Sequence, residues 1–374
     1  MELAIFAQGY VPQFRVDADP DAEHHALINE LAAIQTADKA GFKYAWVSEH
    51  HFLEEYSHLS SSEVFISYAL ATTQKIHVGA GIFNPLPKVN HPAKVAERVA
   101  MLDHLSDGRF EFGIGRGAGS HEVTGFGVES TESTRAIFEE VAPEFAKMWR
   151  ETSYSHNSDQ FVIPPRNVLP KPWKKPHPPM WQAAGNPATW EMAARKGLGI
   201  LGFSMSGAAG MEENIKVYKK AIANAEPVGD YVNDNVMLSA GQCVCLEDGK
   251  RARAELLKSQ PHYMMSLVFH YHDTFPRPEG IPYWPELLPP FDEEALEMMI
   301  QQDLLICGDP DEVTAQLKRI ESSGPDQLCL TTFSMPHDIA TETIETIGKY
   351  VMPKIDTDPV HRTSRMRDGA AAHA

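Results

Sequence analysis

Positive charge is scarce in this sequence: 33 Lys and Arg against 51 Asp and Glu leave a formal net charge of −18 over 374 residues. A field of that sign repels phosphate backbones and anionic bilayers, which argues against nucleic acid or membrane surfaces as partners. Cysteine is scarce too. Cys243, Cys245, Cys307 and Cys329 include no CxxC and sit mostly in apolar strand-like runs, which fits reduced thiols without disulfides. No stretch approaches the roughly 18 apolar residues that span a bilayer. The opening MELAIFAQGY has neither a basic n-region nor a long apolar run. A soluble, cytoplasmic protein is expected, with no internal repeat beyond the unit described next.

What is present is alternation. Apolar or period-2 runs at 3–8, 44–48, 76–83, 109–115, 179–184, 199–204, 236–245 and 327–333 predict eight strands. Segments with a 3.6-residue period predict helices near 21–40, 61–73, 91–106, 131–150, 187–196, 210–225, 248–267, 311–322 and 340–351. Eight βα units favour an α/β fold of the closed (β/α)8 TIM-barrel type over an open doubly wound sheet. Two segments interrupt the pattern, as insertions after strands 4 and 7. Residues 151–178 are too proline-rich for a helix and read as a hairpin plus an extended link. Residues 268–292 form an aromatic and proline-rich loop of the length typical of lids. A single domain is expected over 1–355, with a frayed tail over 356–374 that lacks apolar periodicity.

A parallel barrel carries its active site at the carboxyl ends of the strands, so the residues just after each strand are the candidates. They are Glu49, His50 and His51 after strand two, Gly81 and Asn84 at strand three, and Arg116 and Gly117 after strand four. Gly185 and Asn186 follow strand five, and Ser204 and Met205 follow strand six. Adjacent side chains of an extended segment point to opposite faces, so His50 and His51 are poorly placed to share one metal. His270 and His272 have alternate spacing, which leaves zinc formally open. General acid/base work by a rim imidazole competes with a hydrogen-bonded loop histidine.

Gly113, Gly115 and Ala118 satisfy GxGxxA after a strand, but GSHEVTGFG continues without helical periodicity, so a dinucleotide fingerprint is rejected. Arg116 there is either a fixed cation for a phosphate or carboxylate, or one half of a structural salt bridge. In AAGNPATW, Asn186 suits an N-cap, Pro187 the first helical position and Thr189 the first turn, which offers free N–H groups to an anion. The bare backbone of Gly79, Ala80 and Gly81 suits either a flat ring or tight barrel packing. The aromatic stripe Phe269, Tyr271, Phe275, Tyr283 and Trp284 either roofs a substrate or packs on itself.

The segments WVSEHHF, KVAERVAMLDHLSDGRFEFGIGRG and EMMIQQDLLICGDPDEVTAQLKRIESSGPDQLCL resemble the bacterial luciferase-like flavin monooxygenases, near the luciferase and alkanal monooxygenase branch, over about residues 1–355. The resemblance implies a (β/α)8 barrel that takes reduced FMN (FMNH2) from a separate flavin reductase. Such an enzyme reacts the flavin with O2 to a C4a-hydroperoxide, then inserts one oxygen atom into a small organic substrate. It also implies that Arg116, Asn186 and Thr189 hold the FMN phosphate with Gly185 beside them, and that Gly117 is among the cofactor-binding residues. The backbone of Gly81 and Ile82 would lie under the flavin ring, at a place where the family often has a non-prolyl cis peptide. His50 would be the catalytic acid/base, flanked by Glu49 and His51, with no metal. A homodimer through the second and third barrel helices follows from the same resemblance. Gly185 and Asn186 depart from the luciferase pattern before the fifth helix. The lid composition points away from a long-chain aldehyde, toward a small apolar or aromatic substrate. The alternatives are F420-dependent hydride transfer, a non-catalytic flavin-binding paralogue, and a metal-dependent hydrolase using His50, His51 and His270 or His272.

Overall fold

Eight parallel strands close on themselves in the computed structural model, which describes residues 1–117, 119–203, 209–273 and 277–372. They are β1 (Glu2–Ala7), β2 (Tyr44–Val47), β3 (His77–Ala80), β4 (Phe110–Ile114), β5 (Met180–Ala184), β6 (Gly199–Gly202), β7 (Val236–Cys245) and β8 (Gln327–Thr331). Each pairs with its neighbours in chain order, and β8 returns to β1 through Glu2↔Gln327 and Leu3↔Leu328. All eight expected strands are therefore found. Their residues are buried on both faces, which is why they read as near-continuous apolar runs.

Alternate residues fill two spaces. Leu3, Ile5, Val78, Phe112, Ile114, Ile200 and Leu238 point outward into the layer shared with the helices. Ala4, Tyr44, Trp46, Trp181, Leu201, Met237 and Cys329 fill the barrel interior, with Trp46 and Trp181 edge-to-face at 5.1 Å. Gly79 belongs to this interior packing: a Cβ there would lie 2.3 Å from the Trp46 ring, so the missing side chain makes room for Trp46.

Some expected elements are redrawn. The helix expected at 131–150 is two, Ser133–Val141 and Glu144–Arg150, divided at Pro143, which lacks an N–H and cannot continue the first. The helix expected at 248–267 is Gly249–Lys258 followed by Pro261–Tyr271, broken at Gln260 with φ +55 before a proline. The second of these runs into the expected lid, so non-helical chain starts only at His272. The hairpin after β4 pairs Tyr154–Asn157 with Val162–Arg166. After β7, a helix Glu293–Gln301 and a short strand Ile306–Gly308 were not expected; the strand extends the sheet on Cys243–Cys245.

The tail departs most from expectation. Residues Arg362–Ala371 form a helix at the amino-terminal end of the barrel. Thr363 donates to Glu111 Oε1 at 2.6 Å, and Arg367 grips Asp103 with two bonds of 2.7 and 2.8 Å, all four residues being buried. His361 stacks on His77 at 3.9 Å. Polar pairing rather than an apolar stripe holds this helix, so hydropathy could not reveal it. The four cysteines are free and buried. No helix among the described residues is long and apolar enough to cross a membrane.

Candidate active site

At the carboxyl end of the barrel a cavity of about 420 Å³ opens, and Glu49, His50, His51, Gly81, Ile82, Arg116, Gly117, Gly185, Asn186 and Thr189 all line it. Barrel closure thus gathers these residues from four strand ends, β2 to β5. Ser204, Met205, Phe275 and Ala118 lie outside the described residues.

The two histidines diverge, as side chains of consecutive extended residues must. His50 Nδ1 faces both carboxylate oxygens of Glu122 at 3.2 Å, and its ring meets Tyr56 edge-on at 5.4 Å and His272 at 5.8 Å. Its backbone N–H donates to Leu59 O at 3.1 Å, which fixes the loop after β2. Glu122 also accepts the His51 backbone N–H at 2.8 Å. Burial works to raise the Glu122 carboxyl, but the His50 charge and the bonds from the His50 ring and His51 N–H outweigh it and hold it below the usual range. A carboxylate on Nδ1 selects the tautomer with the proton on that nitrogen, leaving Nε2 as the exchangeable one. Burial, then the neighbouring His50, push His272 down to about 3, so it is a neutral ring at physiological pH.

His51 turns the other way, edge-on to Phe126 at 4.8 Å, with Nε2 at 3.6 Å from Glu49. Glu49 is anchored by Ser62 Oγ at 2.8 Å and Asn90 Nδ2 at 3.2 Å. Asn90 is in turn held by Arg98 at 3.0 Å. The Glu49 carboxylate is thus committed to holding the loop.

The other end of this wall suits an anion. Arg116 donates to Thr131 O at 3.0 Å and Thr134 Oγ1 at 3.1 Å. No carboxylate among the described residues stands within ion-pair distance of it, so the salt-bridge reading fails. Burial and then Arg135 lower its pKa, against Glu132, which means a bound negative charge would be welcome there. Asn186 caps the helix Pro187–Arg195: its Oδ1 accepts from Thr189 N at 3.1 Å and Thr189 Oγ1 at 3.0 Å. The backbone of Gly81 and Ile82 forms another part of the lining, and the peptide between them is cis.

Two buried polar atoms on the lining, Gln182 Oε1 and His51 Nε2, have no hydrogen-bond partner among the described residues. An unmet buried group costs about 1–3 kcal/mol. Orphaned polar atoms, a bare Gly81 wall, and a guanidinium without a carboxylate partner on the same cavity as a helix start together fit a planar heteroaromatic group carrying a phosphate. Among the described residues no cluster of three or more acidic, histidine or cysteine side chains could hold a metal ion.

Of the aromatic stripe, the described residues Phe269, Tyr271, Tyr283 and Trp284 do not line the cavity. Tyr271 and Trp284 belong to a cluster with Tyr10, Tyr56 and Phe333, while Val268, Met264, Met265 and His272 of the same segment face the cavity. His270 is exposed and stacks on Trp284 at 5.3 Å. Glu122, Tyr56 and Gln182 were not anticipated. Glu122 lies in a stretch without periodicity, and nothing local marks it as the partner of a histidine 72 positions earlier.

The family model for luciferase-like monooxygenases matches residues 6–327. The oxygenase component of flavin-dependent trigonelline monooxygenase from Acinetobacter baylyi is 29% identical over 46% of this chain and 48% of its own length. This chain therefore spans about half the length of that curated relative. Limonene 1,2-monooxygenase of Rhodococcus erythropolis is 25% identical over 85% of this chain and 78% of its own. The oxygenating constituent of 3,6-diketocamphane monooxygenase from Pseudomonas putida, solved in complex with FMN, shares the fold with a TM-score of 0.74. It is 20% identical and covers 95% of this chain and 99% of that one. The chain belongs to the luciferase-like monooxygenase family.

Proposed function

We propose that this protein is a flavin-dependent monooxygenase that takes reduced FMN from a separate reductase and transfers one atom of O2 to a small apolar substrate. The observation that carries the reading is the pairing, in one cavity, of the Glu122-held His50 with an anion site at Arg116 and the Asn186-capped helix start. Arg116, Gly117, Gly185, Asn186 and Thr189 would hold the FMN phosphate, and the backbone of Gly81 and Ile82 the ring. Reduced flavin, when bound, supplies the electrons that O2 needs. His50 is the catalytic acid/base: with Nδ1–H committed to Glu122, Nε2 takes a proton from the reacting centre and returns one to the departing oxygen. Glu49 and His51 fix the loop that carries it. Val268, Met264 and His272 exclude water from the cavity, which prevents wasteful release of peroxide.

The protein works as a cytoplasmic homodimer in this reading. Val64 and Tyr68 on the helix Ser62–Ala71 and Met101 and Leu105 on Pro92–Leu105 are all exposed apolar side chains on packed helices, and support such an interface.

Anaerobic titration with reduced FMN followed by O2 tests the reading. The wild type is expected to bind reduced FMN and consume O2 with little free peroxide when substrate is present. His50→Ala is expected to bind reduced FMN equally well and release hydrogen peroxide. Full coupling in His50→Ala sinks the His50 assignment. Hydride transfer to F420 without O2 consumption sinks the monooxygenase reading itself.

A further inference from the structure

The cavity has a second end across the barrel mouth from Arg116. Met264, Met265, Met299, Leu304, Leu305 and Ile320 wall it, contributed by helices Pro261–Tyr271, Glu293–Gln301 and Pro310–Ser322 and the turn between the last two. An irregularity in β7 helps to form this end. The β7–β8 register slips between Cys329 and Thr331, and Ser239–Gly241 stay half-buried in the middle of an otherwise buried strand. The turn through Asp303, with φ +55, lies directly on β7: a Cβ on Gly241 would stand 1.8 Å from Leu304 O, so only glycine admits this approach.

The chemistry of this end is one-sided. Its titratable side chain is Asp303, and that carboxylate is already paired with Arg319 at 2.7 Å. No free cation among the described residues lines it to receive an anionic ligand. Gln242 is 5% exposed and lines the same space. Its Oε1 accepts from Ser259 Oγ at 3.4 Å, whereas its Nε2 has no acceptor among the described residues. One amide donor therefore faces a wall of thioethers and branched aliphatics, which adapts to hydrocarbon of varied shape.

We infer that this arm seats the hydrocarbon body of a neutral substrate bearing one hydrogen-bond acceptor, read by Gln242 Nε2 across from the Met264, Met299 and Leu304 wall. Calling that ligand a substrate rests on the monooxygenase reading; its binding does not. A carboxylate on the same skeleton would lose its hydration without finding a cation, and is rejected. A ketone keeps its one hydrogen bond.

Calorimetric titration of the full-length, flavin-free protein at pH 8 with 2-octanone and with octanoate, in saturating inorganic phosphate that occupies the anion site at Arg116, separates these cases. The ketone is expected to bind at least about tenfold more tightly than the carboxylate. Gln242→Leu should weaken ketone binding about tenfold and leave FMN affinity unchanged. Met264→Trp should fill the arm and abolish ketone binding, with Met299→Phe as a milder filling variant should the first not fold. Octanoate binding as tightly as the ketone, ketone affinity within twofold of wild type in Gln242→Leu, or no ketone binding by the wild type each overturns the inference. Ketone binding as expected, in a protein that consumes no O2 with reduced FMN, leaves the arm standing and removes the monooxygenase reading alone.

Discussion

Replacing Glu122 should separate proton handling from flavin binding. Its carboxylate receives the His50 ring at 3.2 Å through both oxygens and the His51 N–H at 2.8 Å, in a site where it stays ionised through the neutral range. Hydrogen bonds to a charged group are worth about 1.5–3 kcal/mol each. Glu122→Gln keeps size and one acceptor but removes the charge that stabilises the imidazolium formed when His50 takes a proton. A loss of one such interaction in the transition state corresponds to about 10- to 100-fold in the rate of product formation. Glu122→Ala should cost more, because it also leaves the His51 N–H unmet. Glu122 is a positioning residue that does not touch the flavin in this scheme, so the affinity for reduced FMN should stay within twofold. Single-turnover experiments measuring product and hydrogen peroxide per reduced FMN, alongside FMN affinity, give both readouts. Full coupling in Glu122→Gln, or a parallel loss of flavin affinity in both variants, refutes the reasoning.

Breaking the Arg367–Asp103 pair by Arg367→Met leaves a buried carboxylate unpaired, which typically costs about 3–5 kcal/mol. A fall in Tm of roughly 4–6 °C by calorimetry is the expected outcome for a chain of this length, with the cavity and its flavin affinity unchanged below the transition; a change under 1 °C would show the tail helix to be dispensable. Stability should rise with pH between 4.5 and 6.5. Burial pushes His77, His272 and His361 down to about 3 and His177 to about 4, and raises Glu30 and Glu111 to about 7. In that window the unfolded chain protonates four histidines that the folded protein keeps neutral, while the folded protein retains two carboxyl protons that the unfolded chain has lost. Unfolding thus takes up about two protons, and the urea midpoint should climb across the window; a flat or falling midpoint contradicts the sign. Leu105→Glu on the exposed helix face should convert the proposed dimer to monomer in light scattering without changing helix content, and an unchanged mass would dismiss that face as the interface.

The strands, the barrel class and the rim positions were legible because each depends on local periodicity or on adjacency. Apolar runs buried on both faces mark the parallel strands, Asn186 and Pro187 mark a helix start, and consecutive His50 and His51 must diverge at a strand end. Two positions inside that pattern were open between packing and ligand. The structure assigns Gly79 to Trp46 and leaves Gly81 on the cavity wall.

What only tertiary structure decided are pairings between polar groups far apart in sequence. His50 meets Glu122 across 72 positions, Glu111 meets Thr363 across 252, and Asp103 meets Arg367 across 264. Hydropathy assigns such residues to the surface, because an isolated charge is costly to bury. Burial becomes tolerable only once barrel closure brings the partner within hydrogen-bond distance, and neither residue alone carries that information. The sequence therefore determined where strands end and which side chains stand on the rim. Closure determined which acid holds His50, why the tail is a helix and that the cavity extends behind the irregular β7.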